Sequence, residues 1–187
     1  MEADWSVEIG KDLPVIVAPW EGFVDLRHDA AAVNRIAEAD GNPALIDALT
    51  KLNASGSPVF TSKCDFWTLT ADEIDPFEFD ATSEEAQGGI ACYLDMLARD
   101  PLLYASFPLH ESWVRSVTFA LRECCQPQVR VEFVVRPAVT ENTGEGYGIT
   151  LYVWACAARE VSIKERFRAA LQTATDITMK KAAPAGE

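Results

Sequence analysis

Two stretches in the last third of the chain restrict its fold more than any other feature. Val129, Val131, Phe133 and Val135 alternate with Arg130, Glu132, Val134 and Arg136, and further on Ile149, Leu151, Val153 and Ala155 alternate with Thr150, Tyr152, Trp154 and Cys156. Successive side chains of a strand point to opposite faces, so each stretch predicts a strand with one apolar and one mixed face. The glycine-bearing segment between them, which includes Gly144-Glu145-Gly146-Tyr147-Gly148, joins them as a β-hairpin. An apolar sheet face has to be covered, and the next segment supplies a cover. Ser162-Ile163-Lys164-Glu165 reads as a capping box, in which hydroxyl and carboxylate satisfy the free amides of a helix start. The helix it predicts carries Ile163, Phe167, Leu171, Ala174 and Ile177 on one side.

The rest of the chain is a series of short, well-punctuated segments. Trp5, Val7 and Ile9 alternate with polar neighbours, and Pro14–Val17 and Gly22–Leu26 are short apolar runs between turn residues, so all three predict strands. Asp29 is placed to cap a short helix carrying Val33 and Ile36. Asn42-Pro43 is a cap followed by proline at the first helical position, opening a helix with Leu45, Leu49 and Leu52 on one face. A strand follows from Pro58 to about Thr68. Thr82-Ser83-Glu84-Glu85 forms another capping box, and the spacing of Ala86, Ile90, Tyr93, Leu94 and Leu97 predicts a helix that ends at Asp100-Pro101. Pro108 lies in the first turn of a further helix with Trp113, Val117, Leu121 and Cys124 along its stripe. Strand clusters separated by helix pairs lack the alternation of a doubly wound sheet. They argue for an α+β fold, a mostly antiparallel sheet with helices packed on one face. A chain of 187 residues suits one domain, expected over residues 1–180, with 181–187 as a frayed tail.

Charge and cysteine usage narrow the function. Residues 1–100 carry 20 acidic and 6 basic side chains, against 9 and 10 in residues 101–187. Proteins that neutralise phosphates need a basic stripe, so neither nucleic acid nor an anionic membrane is an expected partner. No apolar run reaches the roughly 20 residues that span a bilayer. The five cysteines match neither a disulfide framework nor a zinc module, and Met1-Glu2-Ala3-Asp4 lacks the basic and then apolar start of a secretion signal. A cytoplasmic protein with free thiols, and with no metal or cofactor, is the expectation.

Several residues invite a chemical reading. The glycines at 144, 146 and 148 lead into a strand rather than a helix, so they lack the converging amides of a phosphate loop and are expected to form a flexible connection. Cys124-Cys125 falls at the C-terminal end of a helix, where the dipole disfavours a thiolate. His28 stands in Asp25-Leu26-Arg27-His28-Asp29, whose spacing matches no metal pattern. His110 is expected at the margin of the core near a helix start, neutral and hydrogen-bonded, with a base as the chemical alternative. The segment 72–80 is dense in carboxylates but holds Pro76, Phe77 and Phe79 where a calcium loop needs glycine. It is expected to be a solvated loop pinned by both phenylalanines, or a docking strip for a basic partner.

The constellation with most functional content is a sheet face. If the strand of Lys63, Asp65 and Trp67 shares a sheet with the hairpin, one surface gathers these three with Arg130, Glu132, Arg136, Tyr152 and Trp154. Rings supplying area and charges supplying orientation are what a binding surface needs. The bland equivalent is an exposed face of cross-strand ion pairs. Two functions follow as expectations. One is a non-catalytic module that binds another protein through the acidic loop or this face. The other is a small-molecule-binding protein or enzyme with its site over the face.

Overall fold

The computed structural model describes residues 1–182. Its strands are β1 (Glu2–Val7), β2 (Ile16–Ala18), β3 (Val59–Thr70), β4 (Gly88–Ala98), β5 (Val129–Thr140) and β6 (Gly144–Ala157). Its α-helices are α1 (Pro43–Asn53), α2 (Pro101–Ala105), α3 (Phe107–Arg122) and α4 (Glu160–Ala182). The fold is α+β. One sheet runs in the order β1-β5-β6-β4-β3, antiparallel except that β1 and β2 lie parallel to β5, one after the other along its edge. No described helix is long and apolar enough to cross a membrane.

The apolar face of the hairpin lies where its alternation places it. Val129, Val131, Phe133, Val135, Ile149, Leu151, Val153 and Ala155 are all buried, packed with Leu45, Leu49 and Leu52 of α1, Trp113, Val114, Val117 and Leu121 of α3, and Phe167, Ala170, Leu171 and Ala174 of α4. Three helices thus cover one face. They are tied to each other at the edges: Lys51 on α1 pairs with Asp176 on α4, and the Trp113 indole on α3 donates to the Thr178 carbonyl on α4 at 3.4 Å. The caps are as predicted for α1, where Asn42 accepts from the Leu45 amide, and for the 3₁₀ helix Ala30–Arg35, where Asp29 accepts from the Ala31 amide.

The opposite face carries no helix layer over its middle, but each end is closed by a small apolar cluster. At one end Ile16, Ala18, Phe60, Leu97, Tyr104 and Ala138 pack together. Here β2 pairs with β5 while Ser62 on β3 donates its hydroxyl to the Val17 carbonyl at 2.5 Å. Since β6 and β4 separate β5 from β3, touching both requires the sheet to curl toward this face. The curl explains two glycines: a Cβ on Gly146 would stand 2.3 Å from the Tyr104 ring, and one on Gly148 would stand 2.9 Å from Ile16. At the other end Ile74, Phe79, Ala86 and Cys156 form the second cluster, with Leu69, Ala81 and Trp154 against it.

The structure corrects several expectations. Residues 88–98 are a strand, not a helix. The capping box at Thr82 does form, with Glu85 accepting from both the Thr82 amide and its hydroxyl, but it closes only a turn. β4 is a central strand whose two faces are both covered along most of its length, so its sequence is nearly continuous in apolar residues and mimics a helical stripe. Gly22–Leu26 is irregular between two turns rather than a strand, and β2 is only three residues long. Asp100-Pro101 opens α2, with Asp100 accepting from the Leu102 amide. α4 begins at Glu160, two residues before the predicted cap, and Glu160 pairs with Lys164. The glycine segment is part of β6 and not a flexible connection, the turn being confined to three residues before it. α4 runs through Ala182, so the first two residues of the expected tail are helical, and 183–187 lie outside the described residues.

Candidate functional site

Strand register brings the mixed-face residues together in rows. Arg130 lies opposite Trp154, Trp154 opposite Ala91, and Ala91 opposite Trp67. In the next row Glu132, Tyr152, Tyr93 and Asp65 are neighbours across four strands. The rings form a ladder over the face: Trp154 stacks on Tyr152 at 5.2 Å with an interplanar angle of 11°, Tyr152 lies 5.9 Å from Tyr93, and Tyr93 lies 6.5 Å from Trp67. The Arg130 guanidinium sits 5.2 Å from the centre of the Trp154 ring. Asp65, Trp67, Arg130, Glu132, Tyr152 and Trp154 therefore share one surface. Lys63 stands in the bulge between Thr61 and Cys64 and turns toward the Trp20 ring, 5.3 Å away.

Arg136 occupies the same face but is buried, 9% exposed. Its guanidinium donates to Glu8 at 2.6 and 2.9 Å and to the Thr150 hydroxyl at 2.8 Å, and that hydroxyl donates to Asp95 at 2.6 Å. Burial raises the Asp95 carboxyl above the ordinary carboxylate range, with the Thr150 hydrogen bond and the Arg136 charge acting against it. The Tyr93 phenol is pushed up to about 12 by burial and by the Asp95 carboxylate. This chain of polar groups is a buried brace beneath the ladder, with Thr150 0% and Asp95 8% exposed and the guanidinium also reaching the Tyr152 hydroxyl at 3.3 Å. Tyr93, Asp95 and Thr150 were not among the residues expected at the site. The first two lay on the segment misread as a helix, where Gly88-Gly89 before an apolar run was the signal for a strand.

The acidic segment folds back onto this face. Its 3₁₀ helix Pro76–Phe79 is capped by Asp75, which accepts from the Phe77 amide, and Glu78 pairs with Arg130 at 2.5 Å. Phe79 is buried in the second apolar cluster and pins the loop, whereas Phe77 is 90% exposed and pins nothing. Between this loop and the β1 edge runs a groove of about 890 Å³. Glu2, Asp4, Asp75, Glu78, Asp80 and Glu85 line it, with Phe77 in the wall and Arg122 and Arg130 as its basic groups. Both arginines are engaged: Arg122 donates to the Ala3 carbonyl and reaches Asp4, and Arg130 pairs with Glu78 and Glu132. Hydrogen bonds from the Thr82 amide and hydroxyl hold Glu85 below the usual carboxylate range, so it stays ionised. The groove is thus strongly anionic. Among the described residues no cluster of three or more histidine, cysteine or carboxylate side chains is arranged to hold a metal ion.

The other candidates have structural surroundings. His110 is fully buried on α3 rather than at a margin, and its Nδ1 donates to the Ser106 carbonyl at 3.0 Å. Burial lowers its pKa, and the Trp113 and Tyr147 rings stand 6.0 and 6.1 Å away. It has no solvent route to act as a surface base. His28 is exposed beside Asp25. All five cysteines are free, and the Cys124 thiol donates to the Ala120 carbonyl at 3.5 Å.

No protein-family model, curated protein sequence or solved structure matches the chain.

Proposed function

We propose that the protein is a non-catalytic binding module whose groove takes a basic segment of another protein. One observation carries the reading. The acidic loop and the mixed sheet face, separate candidates in the sequence, meet at Glu78 and Arg130 and build a single groove lined by six carboxylates. A lysine- or arginine-bearing segment complements that charge, and the exposed Phe77 ring offers the apolar and cation–π contact that its side-chain stems and heads would use. An open trough suits a polypeptide better than a small metabolite, which is usually enclosed on most of its surface. A catalytic or small-molecule site over the middle of the face has less support. The carboxyl best shielded there, Asp95, is 8% exposed and already accepts the Thr150 hydroxyl.

The test is anisotropy of a labelled peptide in which arginine and leucine alternate, set against the same peptide with glutamate for arginine. The basic peptide should bind, weaken steeply as salt rises, and lose about tenfold or more in affinity against a variant with Glu2→Lys and Asp80→Asn. Asparagine is chosen at 80 because this residue has φ of 48°, which asparagine tolerates. Equal binding of both peptides, or an unchanged affinity in the variant, would remove the groove from the account.

A further inference from the structure

A second cavity, of about 400 Å³, lies at the opposite edge of the sheet, along the free side of β3. Thr61, Ser62, Lys63, Cys64 and Asp65 form one wall, the segment Arg35–Glu38 faces them, and Trp20 and Val24 close one end. Its size falls in the range of small-ligand sites, roughly 300–1,000 Å³.

Three features of this cleft point to the same ligand. The first is charge. Arg35, Lys63, Glu38 and Asp65 all line it, yet none of the four takes part in an ion pair among the described residues. Two unpaired cations and two unpaired anions around one small cavity complement a molecule that carries both signs. The second is backbone. β3 has β4 as its only strand partner, so its other edge carries no ladder, and the bulge between Thr61 and Cys64 falls where that edge lines the cleft. Side chains close the edge on either side. The Thr61 amide donates to Asn53 at 3.0 Å and the Phe66 amide to Asp65 at 2.7 Å, which leaves Ser62 to Asp65 between the two stops. Such an edge recognises amides, by adding an extended chain as a further strand. The third is the apolar lining of Val24, Ile36 and Leu49 with the Trp20 ring, which accepts a hydrocarbon side chain.

We propose that this cleft binds short peptides with free termini, the carboxylate drawn to Arg35 and Lys63 and the ammonium to Glu38 and Asp65. The peptide's amides lie against the β3 edge at Ser62–Asp65. Its side chain meets Trp20 and the apolar lining. The thiol of Cys64 in the wall takes no chemical part, because burial, with the Glu38 and Asp65 charges, pushes its pKa up to about 12 and keeps it protonated. The site is independent of the acidic groove. It lies at the β3 edge, whereas the groove lies at the β1 edge.

The experiment titrates the ¹⁵N-labelled protein with Ala-Leu-Ala and, separately, with the same tripeptide acetylated and amidated. The Trp20 indole N–H signal is identified by its loss in Trp20→Phe. Saturable movement of that signal and of the Ser62–Asp65 amides is expected at millimolar peptide or below, with the blocked peptide at least about tenfold weaker. Arg35→Ala with Lys63→Ala should weaken the free peptide by a similar factor while leaving the remaining spectrum and the binding of the basic peptide unchanged. Absence of saturation, equal affinity for the blocked peptide, or undiminished binding by the double variant overturns the proposal.

Discussion

On one side of the sheet Val131, Phe133, Leu151 and Val153 are at most 1% exposed beneath three helices, while on the other side their immediate neighbours Glu132, Tyr152 and Trp154 remain half-buried with no helix above them. The same two strands, β5 and β6, supply both sets of residues. The first face is held by dispersion and the removal of apolar area from water, which tolerates no vacancy. The second is closed with apolar clusters only at its ends and carries aromatic rings and ion pairs between them. Exposed ion pairs contribute roughly 0–1 kcal/mol each, so the middle of this face is cheap to alter and to cover with a partner. The difference places most of the burial energy on one face and leaves the other, where binding is proposed, with weaker contacts.

That division is broken most readily where its energy is largest. Phe167→Ala or Leu171→Ala, each removing a buried side chain of α4, should cost about 2–5 kcal/mol in urea-induced unfolding. A loss well under about 1 kcal/mol would mean that α4 does not anchor the core.

Arg136 tests the buried brace of the mixed face. Arg136→Ala leaves Glu8, Thr150 and Asp95 without their cation and should destabilise by about 2–3 kcal/mol, less than the larger core truncations. If unfolding is unchanged, the guanidinium is replaceable by water and the face is more open than its burial indicates.

Proton linkage separates the faces by sign. His110, under the helices, has a folded pKa below its ordinary 6.5, so the unfolded chain binds more protons between the two values. Its contribution to stability is present above pH 6.5 and is lost as pH falls through that window. Asp95, on the other face, has a folded pKa above its ordinary 3.8, so the folded protein holds the extra proton. Its contribution is present below pH 3.8 and is lost as pH rises through its folded value. Urea titrations across this range should show His110→Leu removing the first slope and Asp95→Asn the second. A variant that leaves its slope in place shows that the group titrates as it does in the unfolded chain.

The helix-covered face was largely legible in the sequence because strict alternation at 129–135 and 149–155, and the helical spacing of Ile163, Phe167 and Leu171, each have one simple reading. β4 was not legible, because a strand buried on both sides loses its alternation and Ile90, Leu94 and Leu97 happen to fit a helix as well. Asp65, Trp67, Arg130, Glu132, Tyr152 and Trp154 share the mixed face, as alternation placed them. Arg136 lies on that face but is buried, because it is held by Glu8 and Thr150, partners that no local pattern links. The groove depends on the acidic loop meeting Arg130 some fifty residues further along the chain, a contact set by the tertiary fold.

The smallest effect on stability is expected from Arg130→Ser combined with Glu132→Ser. Both side chains are partly exposed, and their pairs with each other and with Glu78 are worth about 1 kcal/mol or less. The variant should keep its melt. Unfolding instead would show that these charges are part of the core architecture.

The division between the faces is tested most directly by mapping the basic peptide on the ¹⁵N-labelled protein. Saturable amide shifts are expected at Glu2–Asp4, Asp75–Glu85, Arg122 and Arg130, weakening with salt, while α4 and the outward positions of α3 before Arg122 stay still. Shifts centred on those helices, or none at peptide concentrations that saturate the anisotropy signal, would contradict it.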